Sequence, residues 1–405
     1  MTRVMLVAGQ ASGGVVRQLV EHCHALETLG HQAVIAAPPK TLDCLPEAVG
    51  HLETVVLDIG ERPSGQDRAT MKKLRDHLVD IDVLHAHGAR AGALACLAAR
   101  GHKGGERSTP LRVVVTLHNR PVGSPLVCAV GAGLIQIIAT LADVVLAVSP
   151  DLVRRVRRAG MLRAGTRRLT RHPQVPTELA IVAAPGQPPE DQLDLPQLQR
   201  KRQAARFTLG WSDRDVIIVT IARLAPQKGL DTVLAAAAKL GERASRFDNS
   251  DSWRWLIVGD GPLEKDLTAS IAALGLSEHV ILTGHRADVP VLLQAASIVV
   301  NCAVWEGQSV ALMESLQAGA AIVATDVGGT RSVLQSAGRH VKSGDPDALA
   351  DMIAAVASSE LAQDRMRLAS IRRAGTLPRV GDLAEQLERV YTGHDPKAAT
   401  DVSHH

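Results

Sequence analysis

Short apolar runs, uninterrupted at their centres and separated by helical sequence, constrain this chain more than any other feature. The first half holds RVMLVA (3–8), AVIAAP (33–38), TVVLDI (54–59), DVLHAH (82–87), RVVVTLH (112–118), DVVLAVS (143–149) and LAIVAA (179–184). The second holds VIIVTIA (216–222), WRWLIVG (253–259), HVILTG (279–284), SIVVN (297–301) and AIVAT (321–325). A strand exposed on one face would alternate apolar with polar residues. These do not, so the expectation is parallel sheets covered by helices on both faces. Between the first two runs, Val16, Leu19, Val20, Cys23 and Leu26 recur at helical spacing, and Gly30 closes that helix.

The pattern breaks once. Residues 185–203, PGQPPEDQLDLPQLQRKRQ, hold four prolines and several charges and read as a linker. With 405 residues the chain is long for one core. The expected organisation is an α/β domain over 1–185, a linker over 186–205 and a second α/β domain over 206–375. A terminal helix (376–392) would cross back to the first domain, and a disordered tail (393–405) would follow. Two such domains would face a central cleft, with ligands beyond the C-terminal ends of the strands.

Composition excludes more than it assigns. One Tyr, two Phe and four Trp leave little for stacking bases, so no nucleic-acid partner is expected. The net charge of +3 defines no polyanion binder, but residues 151–172 carry eight arginines against one aspartate. That run reads either as a solvated helix face or as contact with an anionic membrane surface or substrate. Residues 126–142, LVCAVGAGLIQIIATLA, fall short of the roughly 20 apolar residues of a spanning helix and read as buried or interfacial. Cys23, Cys44, Cys96, Cys128 and Cys302 form no metal-binding spacing and read mostly as buried thiols in a reducing compartment. The N-terminus reads as a first strand rather than a signal peptide.

Candidate ligand-binding groups gather just after the strands. Gly13 and Gly14 open the first helix, as a tight turn or as a close approach to an anion. Their spacing is not that of a plain dinucleotide fingerprint. Arg223 and Lys228 follow VIIVTIA, as solvated cations or as a diphosphate clamp. Gly259 and Gly261 keep the loop after WRWLIVG accessible, with Pro262 where a helix could begin. After SIVVN, Glu306 lies in a loop, Ser309 is a candidate N-cap, and Glu314 sits about five residues into the helix. Those carboxylates read as surface charges or as acceptors for sugar hydroxyls. His118 ends RVVVTLH, as core filler or as an imidazole at the cleft lip. His85 and His87 read as pointing to opposite faces of their strand, which would make them poor partners in one metal site.

Taken in order, Gly13-Gly14, HAH (85–87), TLH ending at His118, ADVVLAVS (142–149), ARLAPQKG with Arg223 and Lys228, VGDGP (258–262), Glu306-x7-Glu314 and AG-x3-VATDVGG resemble the retaining glycosyltransferases of family 4. The resemblance covers roughly residues 1–375 and is closest in the second half. It implies a GT-B fold of two Rossmann-like domains and transfer of a sugar from a nucleoside-diphosphate donor to a hydroxyl acceptor. It further implies that Arg223 and Lys228 hold the diphosphate and that Glu314 holds the ribose. Glu306 and the N–H groups near Gln308, Ser309 and Val310 would hold the transferred sugar. The Gly13-Gly14 loop would close over it, His118 would contact the reacting region, and the base would lie against backbone near His285 and Arg286. No cofactor or essential metal is implied. UDP is the favoured base carrier and GDP the next. The acceptor would be a lipid-linked or cell-envelope glycan or a small hydroxyl compound. The expected location is cytoplasmic, with peripheral contact at the inner membrane face. Family members often have Asn-Gly where this chain has AAPGQ (183–187), Phe or Pro at Gln308, and Pro-Glu at Arg331-Ser332. A GT-B epimerase, a phosphorylase-like enzyme and a non-catalytic sugar-nucleotide-binding protein are the alternatives.

Overall fold

A computed structural model describes residues 1–11, 13–60, 62–100, 110–121, 124–166, 175–186, 193–243 and 253–393. The chain divides into two units, Met1–Ala183 with Pro378–His405, and Ala184–Leu377.

Unit 1 runs β1 (Arg3–Ala8), α1 (Gly14–Thr28), β2 (Gln32–Ala37), α2 (Pro39–Leu42), β3 (Glu53–Val56), α3 (Asp67–Asp76), β4 (Val83–His87), α4 (Ala89–Arg100), β5 (Arg112–Leu117), α5 (Pro125–Leu141), β6 (Val144–Ala147), α6 (Pro150–Thr166) and β7 (Thr177–Leu179). Its sheet is parallel throughout, in the order β3-β2-β1-β4-β5-β6-β7. Every residue of β4 is buried, as the uninterrupted apolar runs require of a sheet covered on both faces.

Unit 2 runs α7 (Leu195–Leu209), β8 (Val216–Ile221), α8 (Leu230–Arg243), β9 (Trp253–Val258), α9 (Glu264–Ala273), β10 (Val280–Gly284), α10 (Val289–Ala295), β11 (Ile298–Asn301), α11 (Val310–Gln317), β12 (Ile322–Thr325), α12 (Thr330–Leu334), β13 (Gly338–Val341), α13 (Pro346–Ala357) and α14 (Glu360–Gly375). Its parallel sheet has the order β10-β9-β8-β11-β12-β13. A last helix, α15 (Val380–Thr392), belongs to unit 1 and packs on α1. In both sheets the strand order reverses once, between β1 and β4 and between β8 and β11. Open α/β sheets bind ligands at such points.

Three expectations need correction. The linker expected over 186–205 contains most of α7, while 187–192 lie outside the described residues. Asp194 and Gln197 form a capping box that starts this helix despite Pro196. Arg206 then anchors it in unit 2. Its buried guanidinium donates to the carbonyls of Ala295 (2.9 Å), Ser212 (2.6 Å) and Asp215 (3.0 Å) and to Ser297 Oγ (2.8 Å). The strand expected over 179–184 ends at Leu179. Beyond it the Gln386 amide of α15 replaces a neighbouring strand: Oε1 accepts from Ile181 N at 2.7 Å and Nε2 donates to Leu179 O at 2.9 Å. Finally, β13, sequence GRHV, is an edge strand with no apolar run to reveal it. The expected tail lies outside the described residues from 394 onward. Of the cysteines, Cys23, Cys96 and Cys302 are buried, Cys128 is half-buried and Cys44 is exposed.

Candidate active site

In unit 2 the loops after β8, β9, β10 and β11 leave four neighbouring strands at one sheet edge. After β8, a 3-10 turn over Pro226–Lys228 presents the lysine and ends at Gly229, φ 61°. A Cβ on Gly229 would lie 2.1 Å from the Cys302 carbonyl oxygen, so only glycine lets the β8 loop meet the β11 loop this closely. The two loops are also tied by Val304 N to Gln227 O at 2.8 Å and Gln227 Nε2 to Trp305 O at 3.0 Å. A contact between two candidate residues follows from this seam. Lys228 Nζ meets Glu306 Oε2 at 2.5 Å, with the Glu306 side chain only 11% exposed. The pair spans β8 and β11, the strands flanking the reversal in strand order.

Glu306 is held by the segment DVGG. Its carbonyl accepts from Gly329 N at 2.9 Å, and a Cβ on Gly328 would stand 1.8 Å from that oxygen. The glycine pair lets the backbone lie flush against the loop that carries the carboxylate. Ser309 is the N-cap residue of α11, as expected, but its side chain makes no capping hydrogen bond. The first-turn N–H groups of α11 lack intrahelical acceptors by geometry, so this end attracts anionic or hydroxylic groups. Val310 opens the helix and Glu314 is half-buried within it, with Leu312 and Leu316 turned to the core. Gln308 is half-buried.

Arg223 is exposed after β8. Its loop is braced by Gly259 and Gly261, at φ 136° and 153°, where added Cβ atoms would meet the carbonyl oxygens of Ala222 at 2.1 Å and Leu224 at 2.5 Å. Leu224 N donates to Asp260 O at 2.7 Å, and Gly259 N to Gly284 O at 2.9 Å, which brings in the β10 loop. In that loop His285 is exposed, while Arg286 forms a two-point pair with Asp288 at 2.8 and 2.5 Å. The Arg286 guanidinium is thus engaged by its near neighbour. Helix α9 begins two residues after Pro262 rather than at it.

Unit 1 places its candidates differently. Gly13 is the N-cap residue of α1 at φ 57° and Gly14 its first residue, and both are exposed with open space where a Cβ would stand. His118 follows β5 but is buried, not exposed at a strand end, and its Nε2 lies 3.0 Å from His87 Nδ1. His85 and His87 share one face of β4, contrary to the expectation of opposite faces. Side chains two apart on a strand point the same way, and these rings stack with centroids 4.6 Å apart. Burial pushes His118 down to about 3 and His22 to about 4, and holds His85 and His87 well below the usual imidazole range. His118 is therefore a neutral imidazole.

Residues 12–167 match the family Glycosyltransferase Family 4, and residues 201–373 match Glycosyl transferases group 1. The chain belongs to the family 4 glycosyltransferases. The phosphatidyl-myo-inositol mannosyltransferase of Mycolicibacterium smegmatis is 26% identical over 392 residues, 94% of this chain and 90% of that protein. The alpha-D-kanosaminyltransferase of Streptomyces kanamyceticus is 27% identical over 173 residues, 41% of this chain and 42% of that protein. Across the first three curated relatives the matched segments span only 28% to 42% of their length. The crystal structure of Anabaena Alr3699/HepE in complex with UDP has a TM-score of 0.71 at 19% identity, covering 97% of this chain and all of that one. That likeness shows the fold, GT-B.

The sequence names candidate donor-side residues but not the contacts that hold them in place. The ion pair between Lys228 and Glu306 and the bracing roles of Gly229 and Gly328 were not read from it. Nor was His22, although it stands between Leu19 and Leu26 on the buried stripe of α1. A polar residue inside an apolar stripe is the signal that would have found it.

Proposed function

We propose that this protein transfers a sugar from a nucleoside-diphosphate donor, UDP first and GDP next, to a hydroxyl acceptor, with retention at the anomeric carbon. The pair between Lys228 and Glu306 at the strand-order reversal of unit 2 carries this reading. A donor diphosphate competes with Glu306 for Lys228, with Arg223 as second cation. Glu306, released, accepts from hydroxyls of the transferred sugar beside the α11 N-terminus, and Glu314 takes the ribose. The acceptor oxygen bonds to the anomeric carbon, the bond from that carbon to the phosphate oxygen breaks, and the acceptor proton passes to the departing phosphate. The leaving charge develops where the two cations stand. Transfer in this scheme needs no metal and no cofactor.

For the acceptor we favour a lipid-linked or cell-envelope glycan over a small hydroxyl compound. Among the described residues no helix is long and apolar enough to cross a membrane. Helix α5, expected to be buried or interfacial, buries Gly131, Ile135, Ile138 and Ala139 but exposes Leu126 (73%), Val127 and Val130. Helix α6 packs beside it with Arg154, Arg157 and Arg158 exposed and Arg155 half-buried. Arg167, Arg168 and Arg171 lie outside the described residues. Apolar side chains beside arginines suit an anionic lipid surface.

The test is ligand-induced stabilisation across UDP-, GDP- and ADP-sugars, beside a Glu314→Ala variant. A selective shift for one donor, weakened in the variant, is the expected result. No shift with any donor, from folded protein, overturns the reading.

A further inference from the structure

Three imidazoles meet in the interior of unit 1. His22 comes from α1, and His85 and His87 from one face of β4. One ring nitrogen of each lies within 4.8 Å of the other two, and all three residues are buried. Burial keeps the rings neutral, so each offers a lone pair. The Nδ1 atoms are all engaged: His22 with the Gln18 carbonyl at 2.7 Å, His85 with the Tyr391 hydroxyl at 2.6 Å, and His87 with His118 Nε2 at 3.0 Å. Metal-ligating histidines are oriented in this way, one nitrogen held by an outer partner while the other faces the ion.

The opposite nitrogens supply the second observation. His87 Nε2 is buried with no hydrogen-bond partner among the described residues, in a side chain only 3% exposed. Gln18 Oε1, on the residue one turn before His22, is likewise buried and unpartnered. A buried polar atom without a partner is costly enough that few native structures keep one unexplained.

We infer that His22, His85 and His87 bind a divalent transition-metal ion of the zinc class through their Nε2 atoms. Three imidazoles select zinc, cobalt, nickel or copper over magnesium or calcium. Zinc–imidazole bonds of about 2.0–2.1 Å set tetrahedral nitrogens about 3.4 Å apart, so the rings draw together on binding. His85 exchanges its Nε2 contact to Thr116 Oγ1, 2.7 Å, for the ion. A fourth position stays open to water or another small donor. The site takes no part in the sugar transfer proposed above and does not rest on it. It has one consequence for a candidate residue. An ion on His87 Nε2 fixes the proton on Nδ1, so His87 donates to His118 Nε2 and His118 carries its own proton on Nδ1.

The experiment is titration of the chelator-stripped, full-length protein with Co²⁺, then with competing Zn²⁺ and Mg²⁺. One equivalent of Co²⁺ with the visible absorption of a tetrahedral site, displaced by Zn²⁺ and not by Mg²⁺, is expected. His22→Gln and His87→Gln abolish that spectrum, and His77→Gln, at an exposed histidine, leaves it unchanged. Because the buried variants may misfold, Tyr391→Phe gives a milder test. It removes only the hydroxyl that orients His85 and lowers Co²⁺ affinity about tenfold. Absence of the tetrahedral spectrum in the wild-type protein overturns the inference. So does affinity unchanged in folded His22→Gln, His87→Gln or Tyr391→Phe protein.

Discussion

The two units share one strand-order reversal and differ in what they put beside it. Unit 2 sets a lysine–glutamate pair between the loops of β8 and β11, with each backbone braced by glycines. Unit 1 buries neutral imidazoles on β4 and after β5, beneath α1 and α15. A charged pair can exchange partners with an anionic ligand where its cation stays reachable, and the Lys228 side chain is 23% exposed against 11% for Glu306. A buried imidazole cluster cannot take up protons without cost to the fold. The same topology thus yields a unit with a charged pair at its strand-order reversal and a unit whose buried imidazoles stay unprotonated.

The largest effect expected is on the charged side. Lys228→Ala should lower the transfer rate about a hundred- to a thousandfold, the range for removing one group that stabilises developing negative charge. All four tryptophans, Trp211, Trp253, Trp255 and Trp305, lie in unit 2, so their fluorescence reports that unit's folding separately. A rate loss with an unchanged tryptophan melting curve assigns the effect to chemistry. A variant with wild-type turnover would remove Lys228 from the mechanism.

Acid should reverse the asymmetry. The folded values of His22 and His118, about 4 and about 3, lie below the ordinary value of about 6.5. The unfolded chain therefore takes up protons first. Stability from these groups is complete above about pH 6.5 and falls as pH drops towards 4, by about 1.4 kcal/mol per pH unit for each histidine. Calorimetry between pH 7 and pH 5 should show the unit 1 transition moving down while the tryptophan-detected transition of unit 2 holds. Equal shifts in both would mean that the imidazoles are solvated.

Glycines sharpen the contrast at smaller scale. Gly328→Ala drives a Cβ into the Glu306 carbonyl at a φ of 53° and should destabilise unit 2 by about 1–3 kcal/mol while weakening donor binding. Gly13→Ala meets open space and costs only backbone strain, on the order of 1 kcal/mol, in unit 1. Thermal melts of the two variants compare a glycine required by packing with one required by conformation alone. If Gly13→Ala proves the more damaging for fold stability, the loop after β1 is held more tightly than its open surroundings indicate.

These contrasts also explain what was legible in the sequence. Arg223, Lys228 and Glu306 stand out because charged residues in the loops after apolar strands have no packing reason to be there, and Glu314 because it follows Glu306 on the next helix. The parallel sheets followed from strands with no polar alternation. What failed depended on tertiary partners. LAIVAA has strand composition, yet an amide from α15, some 200 residues away, takes its hydrogen bonds. The proline-rich stretch reads as a linker from its four prolines and charges, while the capping box of Asp194 and Gln197 starts a helix there. The parity of His85 and His87 was legible and was misread, since a spacing of two on a strand means one face. His22 had no motif, and its meaning appears only when β4 is laid against α1.

The smallest expected effect on stability separates packing from docking. Helix α5 joins β5 to β6, and α12 occupies the matching place between β12 and β13 in unit 2. There the helix is five residues with Val333 and Leu334 buried; in unit 1 it is seventeen, with Leu126, Val127 and Val130 facing solvent. The added length contributes apolar surface that the fold of unit 1 does not use. Replacing Leu126 and Val130 with glutamine should therefore change stability by no more than about 0.5 kcal/mol, as for surface positions generally. The same variant should lose sedimentation with vesicles containing anionic phospholipid. Neutralising Arg154, Arg155, Arg157 and Arg158 should weaken that binding mainly at low salt, where charge attraction is least screened. Equal vesicle binding by wild type and both variants would leave the exposed face of α5 without a membrane role. A large loss of stability would mean instead that these side chains pack against something in the free protein.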